Sequence, residues 1–574
     1  MFPPRSTPVS APFRTLSVAF AVLVAALIAT MPAPLGAQEA ARPVSDQGGP
    51  EAAAAEVTLY DDLGDYGRQI TTDVLEAQAY FNQGLRLQYA FNHPEAIASY
   101  EHALALDPTC AMCWWGIALA AGPNINAPMD SAGAALATRA IGEAKALLDG
   151  GADASPGERA LIEALSARYG PAPLENRVAQ DSAWARAMTA LAAEYPEDAE
   201  IRTLHAASLM NLSPWFYWEG PYDARTPRPG TEEAIASVES VLEGNPDHPG
   251  ACHYLIHAVE AAHPERAVEC ADRLAALMPG AGHIVHMPGH IYLRVGRYAD
   301  AVEANRHAVH ADETYIADLG PINIYTSAYY PHNYHFMNFA STMAGMSETA
   351  IESAEVLPEK ISTDVAAGVG WIQLAVATPE LTGVTFGRWD YVLARPAPPE
   401  RLPISMMLHH YARGVAHAAQ GDFDAARAEL ETMNTYGEKI AAIPALLDME
   451  PIPVIADHAL QGEIALRQGD AEGAVRHFRA AADVEDGMVY LEPPLWYYPV
   501  RHSLGRALLE ADRPAAAERA YREDLLKFPG NGWSLFGLIQ SLEAQGKDAE
   551  AAEVRSEFEA AWEQADTELT ATRF

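Results

Sequence analysis

Ten of the chain's 20 histidines fall between residues 253 and 335, and their spacing carries more than their number. His253 and His257 are four apart, His283, His286 and His290 are separated by three and then four, and His332 and His335 are three apart. On a helix those intervals bring side chains onto one face, within reach of a common ligand. Neutral imidazole is a favoured ligand for zinc, copper, iron and nickel, and pairs one turn apart form ready chelates. The expectation is one or more transition-metal sites, for copper, zinc or iron, built from His253, His257, His283, His286, His290, His332 and His335, with Glu260 as a neighbouring carboxylate. A histidine-lined wall that binds a peptide, an anion or protons is the competing reading. The chain has no H-E-x-x-H, so the zinc-protease pairing of two ligands with a general base is absent. Pro288, between His286 and His290, means either that the helix starts later or that a kink aims His290 differently from His283.

Four cysteines form two further candidates. Cys110-x-x-Cys113 precedes Trp114-Trp115-Gly116. At a helix N-terminus such a pair can be a disulfide, a redox couple or a soft-metal ligand set. Trp114 stands where covalent haem attachment would need a histidine. Cys252 and Cys270 suit a bridge between antiparallel helices, the alternative being Cys252 as a ligand beside His253. The aromatic group Tyr325, Tyr329, Tyr330 and Tyr334 around His332 and His335 can wall the site or pack a core. The segment Glu492-Pro493-Pro494-x-Trp496-Tyr497-Tyr498-Pro499 is unusual enough to mark an interface or a groove contact, with packing as its ordinary role. No glycine-rich phosphate loop, no G-x-S-x-G elbow and no Ser/His/Asp order is present.

The elements that must position these residues repeat along the chain. Tyr80-x-x-Gln83-Gly84-x-x-Leu87, followed by Ala96, Tyr100, Ala103 and Pro108, fits a 34-residue pattern in which small residues let two helices of a hairpin approach closely. Ala267 and Ala301 lie 34 apart, as do Ala517 and Ala551, and further units centre on Gly414/Ala426, Gly462/Ala474 and Gly505/Ala517. On these residues the chain resembles the tetratricopeptide-repeat (TPR) superfamily over most of 76–565. The resemblance implies an all-α fold, a superhelix of antiparallel helical hairpins whose concave groove is lined by the first helix of each pair. In that frame His283, His286 and His290 take positions 2, 5 and 9, His332 and His335 positions 2 and 5, and His253 and His257 positions 6 and 10. All but the last are groove positions in the superfamily, and His257 is marginal. Insertions interrupt the array around Asn211–Gly230, Asp312–Tyr330 and 358–403. The expected organisation is a leader at 1–37, a flexible linker at 38–75, an N-terminal array at 76–395 holding the histidines, and a C-terminal array at 396–574.

Composition narrows the setting. The chain has 574 residues, 49% of them hydrophobic, so most of it can bury enough apolar surface to fold. Its formal charge of −39 argues against nucleic acid or anionic membrane as partner, since both reward basic surfaces. Arg5 and Arg14, an apolar run from Leu16 to Ala29 and the small residues ending at Ala37 have the order of a secretory signal, with cleavage expected after Ala37. The product is then exported, periplasmic or extracellular, with no stable membrane insertion after cleavage. The superfamily's usual activity adds a second functional class: a non-catalytic scaffold holding a protein or peptide ligand in the groove.

Overall fold

The computed structural model describes residues 57–170, 176–319 and 328–574. The apolar leader, the linker up to residue 56 and Tyr325 lie outside them. Helical hairpins dominate, as the 34-residue pattern requires, and the glycines explain why. Gly84 on helix Leu75–Tyr89 and Gly116 on helix Ala111–Ala120 press on opposite sides of Tyr100, which lies on helix His93–Leu106 between them. A Cβ added at either glycine would sit 2.6 Å from the Tyr100 ring. Gly505 and Gly537 clamp Tyr521 in the same way near the C-terminus, each Cβ falling 2.2 Å from Cζ. The repeat is therefore a layered stack in which one aromatic side chain fills the space left by two missing side chains.

Two large cores follow. One gathers residues from Leu63 to Ala340, the other residues from Leu374 to Val554. They meet along an apolar seam made by Leu293, Tyr298, Phe336, Phe339, Met343 and Phe528. Polar ties reinforce it: Arg294 Nη1 donates to the Lys527 carbonyl at 3.0 Å and Trp533 Nε1 to the Thr342 carbonyl at 2.9 Å. The chain thus folds back on itself, and the C-terminal hairpins dock against the histidine-bearing hairpins.

One expectation needs correction. Residues 57–74 are not a flexible linker: Leu63 and Ile70 are buried in the first core, Arg68 makes a paired contact with Asp198, and the Asp62 carbonyl accepts from Gly280 N. Composition averaged over the Ala- and Gly-rich stretch concealed these anchors. The 211–230 insertion carries a two-stranded antiparallel ribbon, Trp218–Glu219 with Thr226–Pro227, and Trp218 Nε1 donates to the Ala258 carbonyl on the first histidine helix. Among the described residues no helix is long and apolar enough to cross a membrane.

Candidate metal centre

Three elements bring the histidines together. Helix Pro249–Val259 supplies His253 and His257. The next pair member is broken: Gly282–His286 and Pro288–Arg294 are separate short helices joined at Met287, where Pro288 interrupts the backbone ladder. Helix Tyr330–Met343 supplies His332. The three histidines of the second element divide between two clusters, and they divide not at the break but between His283 and His286, which share the first short helix. His283 joins His253 and His257, while His286 and His290 join His332, and within each triad the candidate ligand atoms lie within 4.8 Å of one another.

The triads are neighbours. The His257 and His290 ring centres are 5.7 Å apart, and those of His283 and His286 are 6.1 Å apart. Four of the six rings are held from behind. His253 Nδ1 donates to the Tyr89 carbonyl at 2.7 Å, so Nε2 carries the lone pair. His286 Nδ1 donates to Asn305 Oδ1 at 2.7 Å, and the Asn305 amide is itself fixed on the Ala301 carbonyl. His257 Nδ1 faces Glu260 Oε1 at 3.5 Å. His290 Nδ1 is 2.6 Å from Glu260 Oε2 and 3.2 Å from Glu492 Oε2, while its Nε2 meets His286 Nε2 at 2.8 Å. Metal-ligating histidines are oriented in this manner, with one ring nitrogen held by an oxygen and the other turned toward the ion. The Nε2 atoms of His253 and His257 are buried without a hydrogen-bond partner, as a ligand nitrogen aimed at an ion would be.

Charge agrees with that geometry. Burial, followed by the crowding of neighbouring imidazoles, holds His253, His283 and His286 well below the ordinary histidine range and His332 at about 3. Burial also lowers His257. These rings are neutral, with lone pairs available. His290 departs from them. Burial alone would depress it, but Glu260 and Glu492 push it up to about 10. Against its own burial, Glu260 is pulled down to about 2 by His290 and His257.

Aromatic side chains enclose the first triad. The Phe91 ring lies 4.6 Å from His253, Trp215 lies 5.2 Å from His257, and Tyr329 lies 4.8 Å from His283. Phe91 and Trp215 both hold left-handed backbone conformations, with φ of 61° and 67°. Bulky residues rarely adopt that region, at a cost of ~1–2 kcal/mol, and such strain gathers at functional sites.

The sequence expectations divide at this site. Six of the seven histidines are brought together, and marginal His257 is among them. His335 stands apart from both triads, in a small depression beside Asn338, Thr378 and Leu495. One helical turn carries it past the point where the neighbouring rings meet. The wall is not an open groove: His253, His257, His283, His286 and His290 are at most 4% exposed, because the 211–230 insertion and the 490–496 segment fill the concave side. Neither cysteine pair offers a thiolate. Cys110 is bonded to Cys113 and Cys252 to Cys270, so Cys252 is not a ligand beside His253. Glu492 was visible only as part of an odd segment, and Asn305, Phe91, Trp215 and the Tyr89 carbonyl carried no signal in the sequence.

Stacked hairpins surrounding a buried histidine site describe a repeat protein, and the comparisons agree on the repeat. Residues 77–110 and 502–566 match tetratricopeptide-repeat family profiles. Both stretches are tetratricopeptide repeats, one at each end of the stacked hairpins. No curated protein matches it in sequence. Among solved structures it is similar to a human IFIT1 dimer with m7Gppp-AAAA, at 12% identity over 87% of this chain and 92% of that one, with a TM-score of 0.30. It is also similar to Naa15/Naa10 bound to HypK-THB, at 12% identity over 85% and 70%, with a TM-score of 0.19. Scores this low carry no functional reading.

Proposed function

We propose that this protein is an exported metalloprotein that holds transition-metal ions in two adjacent tri-histidine sites inside a TPR scaffold. The observation that carries the reading is the pair of oriented, buried triads, His253/His257/His283 and His286/His290/His332, in which oxygen atoms fix the outer nitrogens and inner nitrogens face one another. The donor set is neutral nitrogen with carboxylates behind it, which suits copper, zinc or iron and not magnesium or calcium. A bound ion of this kind supplies a Lewis acid or a redox centre. The chain's own contribution is to keep five of the six imidazoles neutral, to exclude bulk water with Phe91, Trp215 and Tyr329, and to hold an acidic pair, Glu260 and Glu492, against His290. That pair compensates positive charge when the His290 proton is exchanged for an ion. Export is supported by the leader-like N-terminus and by both cysteine pairs being joined, as an oxidising compartment favours.

Elemental mass spectrometry of protein purified without a polyhistidine tag tests this. Two ions per chain are expected, falling to one in His253→Ala/His283→Ala and to one in His286→Ala/His332→Ala. Protein that is metal-free and resists loading would overturn the reading and leave a protein- or peptide-binding scaffold as the better description. Export is checked separately: N-terminal sequencing of protein secreted by a bacterial host should begin just after Ala37.

A further inference from the structure

A cavity of about 380 Å³ lies between the 211–230 insertion and the C-terminal hairpins, on the far side of Glu492 from the second triad. Its walls include Tyr222, Arg225, Arg294, Tyr490, Trp496 and Lys527. The two guanidinium groups share the same two rings. Arg225 lies 5.9 Å from the Tyr222 ring centre and 5.3 Å from that of Tyr490, while Arg294 lies 5.1 Å and 5.4 Å from them. Arg294 is only 4% exposed, and its Nη2 has no hydrogen-bond partner. Arg225 Nε is likewise buried and unpartnered, and Arg225 forms no ion pair among the described residues.

The acids of the wall are already engaged. Arg501 takes Asp486 at 2.7 Å and Glu523 at 3.4 Å. Burial pushes the Glu485 carboxyl up to about 7, so it is only partly charged at neutral pH. Glu492 accepts from the Tyr490 hydroxyl and lies 3.2 Å from His290 and 3.6 Å from Arg294, which divides one negative charge between two cations. Arg225, Lys527 and the free end of Arg294 therefore exceed the available carboxylates. One buried and one half-buried guanidinium face the same space with only a shared carboxylate, Glu492, near Arg294, and a ligand carboxylate is the complement their planar donors fit. The aromatic and apolar remainder of the wall suits an organic body in place of a bare inorganic ion, and the volume falls in the range of small-molecule sites.

We propose that this cavity is a binding site for a small organic acid, whose carboxylate is held by Arg225 and Arg294 and whose apolar body lies against Tyr222, Tyr490 and Trp496. The site stands on its own cations and rings and does not require metal in the histidine triads. Its place beside Glu492 puts a bound acid next to the second triad.

Titration of Trp fluorescence in the full chain, before and after chelator treatment, tests the assignment with 2-naphthoate, its neutral isostere 2-naphthamide, and inorganic phosphate. Saturable binding of the carboxylate at least ~10-fold tighter than the amide is expected in both metal states, as for a charged hydrogen-bonding anchor. Arg225→Gln should weaken naphthoate by ~10-fold or more and leave naphthamide unchanged. Lys527→Gln, altered at a half-buried helix end, is the second variant and should weaken naphthoate in the same direction, with circular dichroism confirming the fold of each. Equal affinity for the two naphthyl probes, phosphate binding without naphthoate binding, or indifference to both substitutions would overturn the proposal. Protein that is metal-free as purified and resists loading, yet binds naphthoate, would refute the metal reading alone.

Discussion

His253 and His286 are held at Nδ1 by an oxygen and turn Nε2 inward, while His290 is gripped at Nδ1 by two carboxylates. Glu260 is the hinge of this arrangement, since it touches both His257 and His290, one from each triad. Replacing its charge while keeping its shape isolates that role. Glu260→Gln should weaken metal at the His286/His290/His332 site by ~10–100-fold, the usual effect of losing a carboxylate behind a ligating histidine, with less change at the other site. Chelator competition read by elemental analysis measures both. Glu485 makes a different prediction. Its folded carboxyl titrates at about 7, above the 4.5 of the unfolded chain. Between those pH values the folded state binds the extra proton, so stability declines as pH rises through that window, by up to ~3 kcal/mol. Glu485→Gln keeps an acceptor for Val500 N and should remove the slope, leaving a variant more stable than the parent above pH 7. Urea unfolding at pH 5 and pH 8 measures the difference, and an unchanged slope would count against it.

At the scale of elements, the repeat depends on rings seated between facing glycines. Gly505→Ala places a methyl group 2.2 Å from Tyr521, whose ring Gly537 blocks on its other side, so the side chain has no room to yield. A loss of ~1–3 kcal/mol is expected from such overpacking, measurable by urea unfolding, and Tyr521→Leu in the same chain should recover part of it. The proline at 288 is equally a device of the element. It ends one short helix and starts another between His286 and His290, two rings that nevertheless meet in one triad, while the triads divide one turn earlier, between His283 and His286. The left-handed residues Phe91 and Trp215 complete the element-level design, since each sits just after or between helices and brings a ring against the first triad.

Over the whole molecule, the C-terminal hairpins close what the N-terminal hairpins open. Glu492 reaches His290, and Arg294 reaches the Lys527 carbonyl across the seam. The proposed metal sites are therefore tied to the docking of the two halves. Metal-loaded protein should melt at higher temperature than chelator-treated protein in a single shared transition, because an ion in excess at 100 times its Kd stabilises the folded state by ~2.7 kcal/mol. Two separate transitions, only one of them metal-sensitive, would show that the halves are not coupled. The 34-residue spacing of small residues and Pro108, Tyr100 and Gly84 sufficed to define the helical hairpins, because close helix contact demands small side chains at set positions and leaves that demand in the local sequence. The i,i+3 and i,i+4 histidines were legible for the same reason: helical periodicity is local. Which rings meet was not. His257 belonged and His335 did not, Glu492 arrived from more than 200 positions away, and the groove proved to be filled, since these outcomes depend on how distant hairpins and insertions stack. Spacing along one helix determines which side chains share a face; only packing in three dimensions decides what that face meets.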